Sequence, residues 1–142
     1  SMARILCIDD NRHGCFARKS LLEEHGYEVI TAHSGKEGLE EFRKGKIDLA
    51  IVDYVMPEMN GAEVIRHLRK INPRVPVILH SGFTERFALD EKVTEADAVL
   101  QKGPREIKEL LETTGRLLRE RMRSRKAPGR AGARSRARSA RR

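Results

Sequence analysis

The feature that most constrains the fold is a short apolar run at residues 49–52, enclosed by the carboxylates of Asp48 and Asp53. Four consecutive apolar residues predict a strand buried on both faces, as in a parallel sheet covered by helices. Ligands of such sheets lie outside the carboxyl ends of the strands, so Asp53 is predicted to face a cleft. The alternative is that Asp53 only caps the next helix, because aspartate is a common N-cap residue.

Apolar runs alternate with helical patterns along the rest of the chain. Further strands are predicted at residues 5–8, 27–32, 75–79 and 98–100, and helices at residues 12–25, 34–45, 62–71, 83–92 and 104–118. The first helix is predicted to bury Phe16 and Leu22. The last is predicted to begin at Pro104 and to have one apolar face, formed by Ile107, Leu110, Leu111, Thr114, Leu117 and Leu118. Five strands alternating with five helices predict an α/β fold with a doubly wound parallel sheet and right-handed crossovers.

Polar residues follow the carboxyl ends of four predicted strands. They are Asp9, Asp10, Asp53, Ser81 and Lys102. Because parallel strands end at one edge of a sheet, these side chains are predicted to converge. Three carboxylates in close proximity repel one another unless a cation lies among them, and hard oxygen donors favour Mg²⁺. With the ammonium of Lys102 and the hydroxyl of Ser81, the set suits transfer of a phosphoryl group to a carboxylate nucleophile.

These residues occur in this order with the turn sequence Met-Pro-Glu-Met-Asn-Gly at residues 56–61. In these motifs the chain resembles the receiver domain of two-component response regulators, over residues 4–118. The resemblance implies a flavodoxin-like five-stranded parallel sheet of order 2-1-3-4-5 with five helices. It also implies a phosphoacceptor switch in which Asp53 takes a phosphoryl group from a sensor histidine kinase or histidine phosphotransfer protein. The domain would then signal to a downstream protein through altered contacts.

The resemblance also implies a role for each strand-end residue. The Mg²⁺ ligands that it implies are the carboxylates of Asp9, Asp10 and Asp53 and the backbone carbonyl of Val55. Ser81 and Lys102 would bind phosphoryl oxygens. Receiver domains catalyse their own phosphorylation and usually their own dephosphorylation, so the implied chemistry is enzymatic although the main role is signalling.

Two positions depart from the family pattern. Val99 stands where the family usually has an aromatic residue, and Gly103 stands where it has a proline preceded by a cis bond. A cis bond between Lys102 and Gly103 would cost about 2.5–4 kcal/mol. We therefore predict a trans bond there, with the turn made at Gly103 or by a cis bond before Pro104.

The positive charge of the chain is concentrated at one end. Residues 119–142 contain 11 Lys/Arg and 1 Glu, whereas residues 1–118 contain 18 basic and 20 acidic side chains. The Arg-rich tail at 119–142 is predicted to be disordered. It is either a solvated end or a non-specific arm for nucleic acid or an anionic membrane. An alternative function is therefore a nucleic-acid-associated protein regulated by the receiver. A third reading is a receiver-like scaffold that is never phosphorylated.

The sequence also predicts a location. No apolar run approaches the roughly 20 residues that a membrane-spanning helix needs. Cys7 and Cys15 lack the spacing of a metal knuckle or redox pair and are expected to be reduced core residues. We therefore expect a cytoplasmic protein.

Overall fold

The structure, a computed structural model, describes residues 2–82 and 94–125. Its strands are β1 (Arg4–Ile8), β2 (Glu28–Ala32), β3 (Leu49–Val52), β4 (Val77–Ser81) and β5 (Ala98–Gln101). Its helices are α1 (Arg12–Glu24), α2 (Gly35–Arg43), α3 (Gly61–Ile71) and α4 (Glu106–Arg125). The helix predicted at residues 83–92 lies outside the described residues. Of the described helices, none combines the length and apolar character that crossing a membrane requires.

All five strands are parallel and form one sheet of order β2-β1-β3-β4-β5. Strands β2 and β5 are its edges. One apolar cluster packs α2 and α3 against the sheet, and a second packs α1 and α4 against the opposite face. The predicted doubly wound α/β fold and the strand order implied by the resemblance are confirmed.

Strand β3 lies in the middle of this sheet, between β1 and β4. All four of its residues are buried. Ala50 and Val52 contribute to the cluster with α2 and α3, while Leu49 and Ile51 contribute to the cluster with α1 and α4. The uninterrupted apolar run is therefore explained by a strand that is covered on both sides, as predicted.

The turn after β3 is fixed by a capping box at the start of α3. The Asn60 side chain accepts a hydrogen bond from the Glu63 N–H (2.9 Å), and the Glu63 carboxylate accepts one from the Asn60 N–H (2.9 Å). The next residue, Gly61, donates its N–H to the Tyr54 carbonyl (2.8 Å). A Cβ at Gly61 would overlap the carbonyl oxygen of Asp53, so only glycine fits this approach. Asn60 rather than Asp53 caps the helix, which removes the alternative reading of Asp53.

Helices α1 and α4 bury Leu22 and the trio Leu110, Thr114 and Leu117, as predicted, but they do not bury Phe16 or Ile107. Phe16 is 68% exposed and Ile107 is 58% exposed. The residues that α1 buries are Cys15, Arg18 and Leu22, and those that α4 buries are Leu110, Thr114 and Leu117. The prediction for Phe16 was wrong because the stripe at spacings of three and four residues includes an arginine, which a search for apolar residues passes over.

The bounds of two elements were also predicted wrongly. Strand β4 begins after Pro76, which has no N–H to donate, and it includes Ser81, which pairs with Gln101 of β5. Helix α4 begins at Glu106 rather than at Pro104. No cis bond occurs in residues 2–82 and 94–125, so the bond after Lys102 is trans, as predicted, and the bond before Pro104 is trans as well.

Helix α4 continues to Arg125, past the domain boundary predicted at residue 118. The guanidinium of Arg121 donates hydrogen bonds to the carbonyl oxygens of Ile47 (3.4 Å) and Asp48 (2.9 Å). These contacts attach the extended helix beside the amino end of β3. Residues 119–125 are therefore helical, and only residues 126–142 of the predicted tail lie outside the described part of the chain.

We predict that Gly61→Ala destabilises the protein, because the new methyl group would displace the backbone at Asp53. The expected loss in the free energy of unfolding is about 1–3 kcal/mol, measured by urea titration. Gly103→Ala is the matched control, since nothing lies within 4 Å of a Cβ at that position. Equal stability of the two variants would contradict the prediction.

Candidate functional site

Three carboxylates meet at the carboxyl ends of β1 and β3. Asp9 and Asp53 each directly follow a strand, and the sheet ladder extends to both: the Asp9 N–H donates to the Ala32 carbonyl (3.0 Å), and the Asp53 N–H donates to the Ile8 carbonyl (2.9 Å). Oxygens of Asp9, Asp10 and Asp53 all lie within 4.8 Å of one another. The backbone thus fixes two buried carboxylates, and the exposed Asp10 joins them from the next position.

Burial makes it energetically unfavourable for a carboxyl group in this cluster to ionise. Burial is the main reason that the pKa of the Asp53 carboxyl is raised, and the charge of Asp9 raises it further. Lys102 acts in the opposite direction, because a nearby ammonium favours the ionised carboxylate. A second cation among the three carboxylates would favour ionisation in the same way.

The donor set fits a small, hard divalent ion. It consists of carboxylate oxygens alone, with no imidazole or thiolate in the described cluster, and Mg²⁺ favours such ligands together with several waters. Val55, whose carbonyl is the remaining predicted ligand, lies two residues after Asp53 with a half-exposed side chain. Its role as a ligand stays a prediction.

Lys102 reaches this cluster from the position directly after β5. Its Nζ lies 3.1 Å from Oδ1 of Asp53 and 3.3 Å from Oδ2 of Asp9. Its backbone N–H donates to the Ser81 carbonyl (3.0 Å), which fixes the start of the loop. The ammonium therefore bridges two carboxylates that come from different strands.

Ser81 lies at the same edge of the sheet. It is the last residue of β4 and is fully buried. The register pairs Val52 of β3 with Leu79 of β4. Asp53 lies one residue after Val52, and Ser81 lies two residues after Leu79. The strand-end residues singled out in the sequence thus share one edge of the sheet.

Arg18 is a site residue that the sequence analysis missed. It lies on the inner face of α1 between Cys15 and Leu22, and its guanidinium Nη2 contacts Oδ2 of Asp9. The signal in the sequence was a basic residue on the apolar stripe of a helix, where that helix follows a strand that ends in carboxylates. Only a partner that is close in the fold explains such a burial, because an unpaired buried charge is strongly unfavourable.

His80, next to Ser81, is a second buried group at this edge. It is 1% exposed, and in the described part of the chain neither ring nitrogen makes a hydrogen bond. Its Nε2 lies 3.5 Å from Oε2 of Glu106, which is too long for a strong bond. Burial, and then the positive charges of Arg18 and Lys102, lower the pKa of His80 to about 3. The imidazole is therefore neutral at physiological pH.

The family profile described as "Response regulator receiver domain" matches residues 5–114. An uncharacterized transcriptional regulatory protein of Bacillus subtilis, YkoG, is 35% identical over 119 residues, which cover 82% of this chain and 51% of YkoG. The chain thus spans about half the length of this curated relative.

Solved structures of similar proteins have the same fold. A CheY-like receiver domain protein from Methanospirillum hungatei superimposes with a TM-score of 0.80 at 30% identity, covering 87% of this chain and 99% of that one. The response regulator TrrA from Thermotoga maritima, solved with Mg²⁺ and BeF, gives a TM-score of 0.74 at 35% identity, covering 82% and 99%.

We predict that His80→Leu reduces the dependence of stability on pH. In the wild-type protein the unfolded chain takes up a proton at His80 near pH 6.5, whereas the folded protein does so only near pH 3. Stability from this group is present above pH 6.5 and falls as the pH is lowered. By pH 5 the loss is about 2 kcal/mol.

The measurement is urea unfolding at pH 7.5 and pH 5.0 for the wild-type protein, for His80→Leu and for a control variant, His67→Gln. His67→Gln is the control, because His67 is exposed on α3. If His80→Leu loses as much stability as the wild-type protein on acidification, the folded protein does not hold His80 neutral.

Proposed function

Because this chain belongs to the family of response regulator receiver domains, we propose that it is the phosphoacceptor switch of a two-component or phosphorelay system. Asp53 would accept the phosphoryl group from a sensor histidine kinase or a histidine phosphotransfer protein. The observation that carries the proposal is the contact of Lys102 Nζ with Oδ1 of Asp53 (3.1 Å) beside the three clustered carboxylates. A scaffold that is never phosphorylated would have no need of this set.

In the proposed step, an ionised oxygen of Asp53 attacks the phosphorus of the donor. A bond forms between this oxygen and phosphorus, and the bond from phosphorus to the donor imidazole breaks with its electron pair remaining on nitrogen. Lys102 and Ser81 would bind the phosphoryl oxygens and offset the charge that develops on them. Asp9 and Asp10, with Asp53 and the Val55 carbonyl, would hold Mg²⁺. When bound, Mg²⁺ supplies Lewis-acid stabilisation of phosphoryl oxygens.

Support for Mg²⁺ comes from the donor chemistry and from a relative. The oxygens of the three carboxylates lie within 4.8 Å of one another. TrrA, 35% identical to this chain, was solved with Mg²⁺ and BeF. The same cofactor is therefore proposed here.

The output would be altered contact with a downstream protein. The similar region spans only 51% of YkoG, so the transcriptional role named for that protein does not carry over with the receiver. The comparisons give no support to the alternative of a nucleic-acid-associated protein.

Phosphoryl exchange with a kinase would take place in the cytoplasm. The two buried cysteines, both free thiols, are consistent with a reducing compartment.

We predict that acetyl phosphate and Mg²⁺ add one phosphoryl group to the wild-type protein and none to Asp53→Asn. The amide of asparagine cannot act as the nucleophile, whereas the fold should tolerate this nearly isosteric change. The adduct is measured by intact mass spectrometry, with and without a chelator of divalent ions.

Asp48→Asn is the matched control, because it is the same substitution at the opposite end of β3. It should be phosphorylated like the wild-type protein. An adduct on Asp53→Asn, or none on the wild-type protein, would overturn the proposed function.

A further inference from the structure

Both carboxylate oxygens of Asp9 already have partners within the protein. Oδ1 accepts a hydrogen bond from the backbone N–H of Asn11 (2.9 Å). Oδ2 contacts the guanidinium of Arg18 and also lies 3.3 Å from Nζ of Lys102. A divalent ion that takes Asp9 as a ligand would therefore meet two cations at this carboxylate.

The two cations differ in how readily they can withdraw. The side chain of Lys102 is 28% exposed, and a flexible ammonium at the rim of a cleft can move into solvent. The side chain of Arg18 is 8% exposed and lies on the buried face of α1. A guanidinium does not lose its proton in proteins. Arg18 is therefore a permanent positive charge that cannot leave the edge of the site without disturbing the packing of α1.

The balance of charge shows what this residue does to the site. Three ionised carboxylates with Arg18 and Lys102 leave one net negative charge. A divalent ion added to this set produces an excess of positive charge. With a neutral side chain at position 18, the same ion would instead neutralise the remaining charge. Arg18 thus stabilises the metal-free state and disfavours the metal-bound one.

We propose that Arg18 is a positioning residue that serves as a resident counter-cation for Asp9 and sets a low affinity of the site for divalent ions. The inference rests on the metal site of the proposed function and adds a residue that controls its occupancy. At low Mg²⁺ concentration, Arg18 holds Asp9 in place. At higher concentration, the ion would compete with the guanidinium for the carboxylate of Asp9.

The test is the affinity of the intact chain for Mg²⁺, measured by isothermal titration calorimetry. Arg18→Met keeps the aliphatic length of the side chain without its charge, and we expect the Kd for Mg²⁺ to fall by about tenfold or more. Arg18→Lys keeps a cation and should stay within about threefold of the wild-type value. Lys19→Met is the matched control, because Lys19 lies on the same helix and pairs with the exposed Glu23. Its Kd should not change.

A second measurement, thermal unfolding with and without Mg²⁺, still tests the inference if Arg18→Met is less stable than the wild-type protein. Removal of Arg18 leaves Asp9 buried with one cation fewer, so the metal-free Arg18→Met protein should have a lower Tm. Mg²⁺ should raise that Tm more than it raises the Tm of the wild-type protein, because ligand binding stabilises in proportion to the logarithm of the ligand concentration over Kd.

The outcomes separate this inference from the proposed function. A Kd for Arg18→Met that is equal to or higher than that of the wild-type protein, with Mg²⁺ binding still abolished by Asp10→Asn, would overturn the role of Arg18 and leave the metal site intact. Absence of Mg²⁺ binding in the wild-type protein and in every variant would overturn the metal site itself, and the role of Arg18 with it.

Discussion

Mutual repulsion among carboxylates is the constraint on which the site depends. The hydrogen bonds of the sheet fix Asp9 and Asp53 at adjacent strand ends, where neither can move away from the other. Both are buried, so water screens their charges poorly. Two cations offset the repulsion: Arg18 reaches Asp9 from α1, and Lys102 reaches both carboxylates from the end of β5. The elements around the sheet thus bring countercharge to its carboxyl edge.

The sequence predicted the architecture because the physical signals for it are local. A strand covered on both faces needs a continuous apolar run, and residues 49–52 have one. Parallel strands must place their carboxyl ends together, so the positions of Asp9, Asp53, Ser81 and Lys102 at one edge followed from the connectivity alone. The strand order, in contrast, followed from the resemblance to a family and not from periodicity.

What the sequence did not predict depends on contacts between distant residues. Arg18 occupies a buried position that its contact with Asp9, nine residues earlier, makes favourable. The phase of the α1 stripe was misjudged for the same reason, and Phe16 was assigned to the wrong side. The end of β4 is set by its pairing with β5, so no local pattern marks Ser81 as a strand residue.

The position of Lys102 after an edge strand has a thermodynamic consequence. In the described sheet β5 pairs with β4 alone. The free energy needed to open such an edge element locally is lower than the free energy of unfolding the whole domain. Each opening that separates β5 would withdraw the ammonium from Asp53. If Asp53 is the phosphoacceptor proposed above, the population of that open state would affect how readily Asp53 is phosphorylated. A protein that held β5 in place from outside would then change this chemistry without contacting the carboxylates.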